Sequence, residues 1–170
     1  MGVNERLASK AVQYEMIPFG RIVAITSPDD NLGTIDLAEL KKKFGEKGSG
    51  GTPVTRLHLF DTKNHSLGIL HRATWLEMLE QGRAQSINVD SGSLGDVMKL
   101  DFPSAAGETF EDLITGSLAF VGRDKTLADA KTAMEAVPGC QDVIVTENGN
   151  KTMPVLGWIT NVDIAKHSRA

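Results

Sequence analysis

Gly157-Trp158-Ile159-Thr160-Asn161-Val162-Asp163 reads as a strand that runs straight into the start of a helix. Trp158 and Ile159 supply the apolar strand, and Thr160 stands where a hydroxyl accepts from the first helical amides. Asp163 falls one turn in, where a carboxylate favours the positive end of the helix dipole. A second stretch makes the same passage without the acid: Gly68-Ile69-Leu70-His71-Arg72-Ala73-Thr74. It keeps the glycine and the apolar strand, and puts Thr74 where the later copy has Asp163.

The two glycines lie 89 positions apart, and the sequence around each repeats as well. Thr126-Leu127-Ala128-Asp129 opens a helix with capping-box chemistry, and Leu127, Ala130, Met134 and Val137 follow at helical spacing. Asp36-Leu37-Ala38-Glu39 opens its counterpart 90 positions earlier, with Leu37, Leu40 and Phe44 on one face. Alternating strands come next, Arg56–Asp61 and Asp142–Glu147, each followed by a turn. The Asn148-Gly149 pair is a hairpin signal leading into a strand over Pro154–Ile159, as Leu67–Leu70 follows the earlier turn. Ahead of each helix sits one more short strand, Ile22–Ile25 and Leu118–Val121.

Each copy thus reads strand, helix, strand, strand, helix, which predicts a mixed α/β (α+β) fold built from two β-α-β-β-α units. One such unit leaves a sheet face bare, and pairing the two sheets covers it. The expected organisation is an N-terminal helical segment over 1–19, a first unit over 20–82, a linker with short helices over 83–114, and a second unit over 115–170. The N-terminal segment is expected to be helical from Val3 to Glu15, with Leu7, Ala11 and Tyr14 along one side.

The bulk properties exclude several classes. The 170 residues carry a formal net charge of −4, which argues against binding nucleic acid through bulk electrostatics. Cys140 is the only cysteine, so neither an intrachain disulfide nor a thiolate metal cage can form, and it reads as a small packing residue. No apolar run is long enough for a membrane span, and the first residues lack a signal-peptide core, so a cytoplasmic location is expected. His58, His65 and His71 lie on one hairpin, without a carboxylate or thiolate at ligand spacing. Gly45–Thr52 resembles a phosphate-binding loop but has Gly51 where lysine is required, and reads as a flexible connection. Trp75 and Trp158 read as packing residues. No nucleophile stands beside a base, so catalysis is not expected.

Taken together, the duplicated unit, the hairpins and the Gly-x-x-Thr-x-x-Asp at Gly157, Thr160 and Asp163 resemble a tandem pair of cystathionine-β-synthase (CBS) domains, a Bateman module. The resemblance covers roughly residues 20–82 and 115–169. It implies homodimers, and clefts between the units for a regulatory adenine nucleotide (AMP, ADP or ATP) or S-adenosylmethionine. It also implies that Asp163 takes the ribose hydroxyls, that Thr160 takes a phosphate, and that Ala119 and Phe120 line the adenine. His71 and Arg72 in the first copy stand where basic residues of some relatives meet phosphate.

Physical chemistry reads the same residues in two ways. Thr160, Asn161 and Asp163 begin a helix, whose free amides suit an anion, and an ionised carboxylate accepts from two vicinal hydroxyls. Equally, Thr160-x-x-Asp163 is a capping box. Arg72 at a helix start is disfavoured by the dipole, and either a bound anion or plain solvation would accommodate it. The functional expectation is a nucleotide-sensing regulatory module that signals to an effector protein. The alternative is a dimerisation or interaction scaffold with vestigial clefts.

Overall fold

The computed structural model describes residues 2–46 and 51–169; of the loop-like stretch at Gly45–Thr52, residues 47–50 lie outside the described residues. In chain order the elements are Val3–Ala8 (α1), Val12–Glu15 (α2), Ile17–Pro18 (β1), Ala24–Thr26 (β2), Leu37–Gly45 (α3), Arg56–Phe60 (β3), Ser66–His71 (β4), Arg72–Ala84 (α4), Phe110–Gly116 (α5), Leu118–Gly122 (β5), Leu127–Glu135 (α6), Asp142–Thr146 (β6), Gly157–Thr160 (β7) and Asn161–Ser168 (α7). They form the mixed α+β architecture that the repeat predicts. The chain divides into a central unit, Val23 to Gly116, and a terminal unit that joins the segment up to Ile22 with the segment from Ser117 onward.

In the central unit β2 pairs parallel with β3, and β3 pairs antiparallel with β4. Leu57, Leu59 and Leu70 alternate onto one face, where they meet Leu37, Leu40 and Phe44 of α3 and Trp75, Met78 and Leu79 of α4. Phe44 and Trp75 stack with ring centroids 5.6 Å apart. Asp36 does not cap α3 through its side chain, contrary to the sequence expectation. The chain there bridges to Ser93 instead, and the Leu37 amide donates to Gly92 O at 2.9 Å. The stretch after Arg83, expected as a linker, is part of this core: Val89, Leu94, Val97, Met98, Phe110 and Ile114 are all buried in it.

In the terminal unit the sheet order is β1-β7-β6-β5. Ala119, Val121, Val143, Val145 and Ile159 face a core completed by Leu127, Ala130 and Met134 of α6 and by Leu7 and Val12 from the N-terminal segment. The single helix expected over residues 3–15 is broken between Ala8 and Val12. Its backbone is engaged elsewhere: Val12 N donates to Lys125 O and Leu127 N to Lys10 O, both at 2.9 Å. Tyr14 consequently lies away from Leu7 and is 80% exposed. Strand β7 begins at Gly157 rather than Pro154: proline has no amide to give the ladder, and the Leu156 amide joins it only through a single bond to Val145 O at 2.8 Å. Gly149 takes a φ of +82° in the turn before it.

The repeat glycines owe their identity to crossing segments. A Cβ on Gly68 would lie 2.5 Å from Ile114 O in α5, and one on Gly157 would lie 2.2 Å from Met16 Sδ. Residues leading into the second repeat therefore cover the first repeat's glycine. Residues leading into the first repeat cover the second's. The copies have exchanged their entry segments.

Candidate ligand site

Strand β7 delivers Thr160 to the start of α7, with Asp142 of β6 as its register partner. The Thr160 amide and hydroxyl both donate to Asp163 Oδ2 at 3.0 Å, and the Asp163 amide donates to Thr160 Oγ at 3.1 Å. This is the capping box. It engages only one oxygen of the carboxylate, and among the described residues Asp163 Oδ1 accepts no hydrogen bond. The Asn161 amide donates to Gln141 O at 2.9 Å, which leaves the Val162 amide as the one in the first turn without a capping partner among the described residues. Arrangement and charge together offer a partly committed carboxylate and an open helix amide within one turn.

The two residues expected along the adenine divide between the faces of the sheet. Ala119 is buried in the core beside Val121, so its side chain is packing, on edge strand β5. Phe120 is half-buried on the opposite face, in register with Ile144, which in turn faces Trp158. Thr160 and Asp142 share that second face by the two-residue alternation. Trp158 Nε1 donates to Asp142 Oδ1 at 3.0 Å, orienting a fully buried carboxylate beside Thr160. Asp142 was not among the expected site residues; its signal is an acidic residue on the face phase of an otherwise apolar strand.

The first copy has a different chemistry at the same place. Arg56 of β3 is the register partner of His71, as Asp142 is of Thr160, so an acid in one repeat is a base in the other. His71 forms the N-cap of α4 without a side-chain capping bond. A cleft of about 450 Å³ opens there, lined by Thr55, Arg56, His71, Arg72, Ala73 and Leu76. Arg72, which lines that cleft, also has a partner within the fold. It is half-buried and its Nη1 donates to Phe44 O at 2.7 Å, capping the C-terminal end of α3.

A smaller groove of about 290 Å³ between α6 and α7 is lined by Asn161, Ile164 and Ala165 among others, and includes neither Thr160 nor Asp163. No group of three or more His, Cys, Asp or Glu among the described residues is arranged to hold a metal ion. No helix among the described residues is long and apolar enough to cross a membrane.

Neither a protein-family model nor a curated protein sequence matches the chain. Solved structures do. The CBS domain of the bacterial CNNM/CorC family Mg2+ transporter in complex with ATP is similar at 13% identity and a TM-score of 0.58, over 98% of this chain and 92% of that one. The CBS-pair protein CBSX2 from Arabidopsis thaliana is similar at 15% identity and a TM-score of 0.56, over 92% of each chain. CBSX2 in complex with AMP gives 14% identity and a TM-score of 0.52, over 92% of this chain and 94% of that one. The fold is that of the CBS-domain proteins. More particularly, it is the fold of a CBS pair, spread over nearly the whole chain.

Proposed function

We propose that this protein is a regulatory module that binds an adenine nucleotide at the start of α7 and catalyses no reaction. The observation that carries this reading is Asp163: its Oδ2 is held by Thr160 while its Oδ1 is left over, in a helix turn whose Val162 amide has no capping partner among the described residues. Similar folds have been solved with ATP and with AMP, which supports the ligand class. Asp163 Oδ1 takes the ribose hydroxyls, and the helix start receives a phosphate. The Thr160 hydroxyl can join only by turning its proton away from Asp163 Oδ2, so binding exchanges a capping bond for a ligand bond. The cleft at Arg56 and His71 lies at the corresponding helix start of the first copy, where the N-cap makes no side-chain capping bond. On this reading the chain acts in the cytoplasm as a homodimer and passes its ligand state to an effector protein.

A second reading, an assembly scaffold with vestigial sites, is favoured by two exposed apolar side chains on equivalent helices. Leu76 of α4 is 52% exposed and Val162 of α7 is 64% exposed. Thermal unfolding with AMP, ADP, ATP or S-adenosylmethionine separates the two. A ligand at about 100 times its dissociation constant adds roughly 2.7 kcal/mol. That gain is expected with at least one of the four and is lost in Asp163→Asn. If all four leave the midpoint unmoved, the scaffold reading stands and the sensor reading falls.

A further inference from the structure

Helix α7 is thinly attached. It has eight residues, about 12 Å of helix, and Ile164 is its only buried residue. Much of what holds it comes from the first eighteen residues of the chain. Arg6 donates to Ser168 O through Nε at 2.9 Å and Nη2 at 2.6 Å, a two-pronged cap on the helix's last turn. Glu15 Oε2 lies 3.0 Å from His167 Nε2. Ile17 and Pro18 pair with Trp158 and Gly157 on the strand that feeds the helix, and Met16 lies over Gly157. One segment thus grips both the strand before the candidate site and the far end of the helix that carries it.

We infer that residues 3–18 are the transmitting arm of the second-repeat site, and that seating of this arm and binding of an adenine nucleotide at α7 are thermodynamically linked. The inference rests on the nucleotide reading above and deepens it by naming where the signal leaves. A two-turn helix moves as one body, so a ligand that fixes its start favours the seated arm at its end. By reciprocity, an arm that is loosened weakens the ligand by the same factor. Arg6 is a positioning residue here, acting through the C-terminal end of α7.

The test uses the whole chain with AMP and ATP as probes. Hydrogen exchange at the Val12 and Met16 amides, which donate to Lys125 O and Val12 O, is expected to slow about five-fold or more at saturation. Calorimetric titration of Arg6→Ala is expected to show affinity reduced by about five-fold or more, with Arg6→Lys intermediate because an ammonium cannot supply the fork. Circular dichroism without ligand checks that each variant is folded, and the wild-type exchange measurement stands whether or not they are. If AMP or ATP binds while the arm's exchange and the Arg6→Ala affinity stay unchanged, the linkage alone is overturned. If neither these two nor ADP or S-adenosylmethionine binds the wild-type chain, the nucleotide reading fails and the linkage falls with it.

Discussion

Met16 lies so close over Gly157 that a single added carbon would meet its sulfur at 2.2 Å and the carbonyl oxygen of Ile17 at 2.9 Å. Gly157→Ala is therefore expected to destabilise the terminal unit by about 1–3 kcal/mol. Part of that loss returns in Gly157→Ala/Met16→Ala, because the obstructing sulfur is gone while the Ile17 carbonyl stays. Gly68→Ala meets the backbone carbonyl of Ile114 at 2.5 Å, so adding Ile114→Ala restores little. Urea unfolding of the two double-mutant cycles reads the difference directly.

Arg72→Ala removes a charged donor from the last carbonyl region of α3. A loss of about 1–3 kcal/mol of stability is expected, equal with and without nucleotide. A loss seen only in the ligand-bound protein would instead assign the guanidinium to the ligand. Chemical denaturation in the presence and absence of ATP decides it.

The pH dependence of the central unit is carried in part by Asp61. Burial alone would raise its carboxyl, but the His65 amide and ring and the Lys63 amide together hold it below the ordinary 3.8. A depressed carboxylate contributes stability above its unfolded value that disappears as the pH falls through its folded value. Asp61→Asn should thus cost stability at pH 7 and next to nothing near pH 2. Equal cost at both pH values would remove the charge from the explanation.

Cys140 should resist alkylation. Its thiol is pushed up mainly by burial, and its Sγ lies 3.1 Å from the carbonyl oxygen of Asp142, to which it donates. Iodoacetamide at pH 7 is expected to label the native chain several-fold more slowly than the urea-unfolded chain.

What the sequence made legible was chemistry between near neighbours. Thr126 and Asp129, and Thr160 and Asp163, form the capping boxes their three-residue spacing predicts, and the two sheets follow the alternation of their strands. What stayed hidden was set by distant residues. The Ser-, Gly- and Asp-containing stretch after Arg83 looks like a connection because Val89, Leu94 and Val97 are spaced apart, and only their contacts with the α3–α4 core show them as interior. Arg72 reads from the sequence as meeting an anion or solvent, and its acceptor at Phe44, 28 positions back, is visible only in the fold. The glycines at positions 68 and 157 announced a motif, yet their cause, Ile114 and Met16, lies 46 and 141 positions away.

The exchanged entry segments also set a timetable for synthesis. All the residues of the central unit's own core, Ile25 to Ile114, have been made once Gly116 is added. Leu7, Val12 and Met16 wait longer: their partners run on to Ile164, and at about 5–20 residues per second the stretch from Gly116 to there takes roughly two to ten seconds more. Through that interval Leu7, Val12 and Met16 stand as bare apolar side chains ahead of a core already made, which is the form a chaperone would meet.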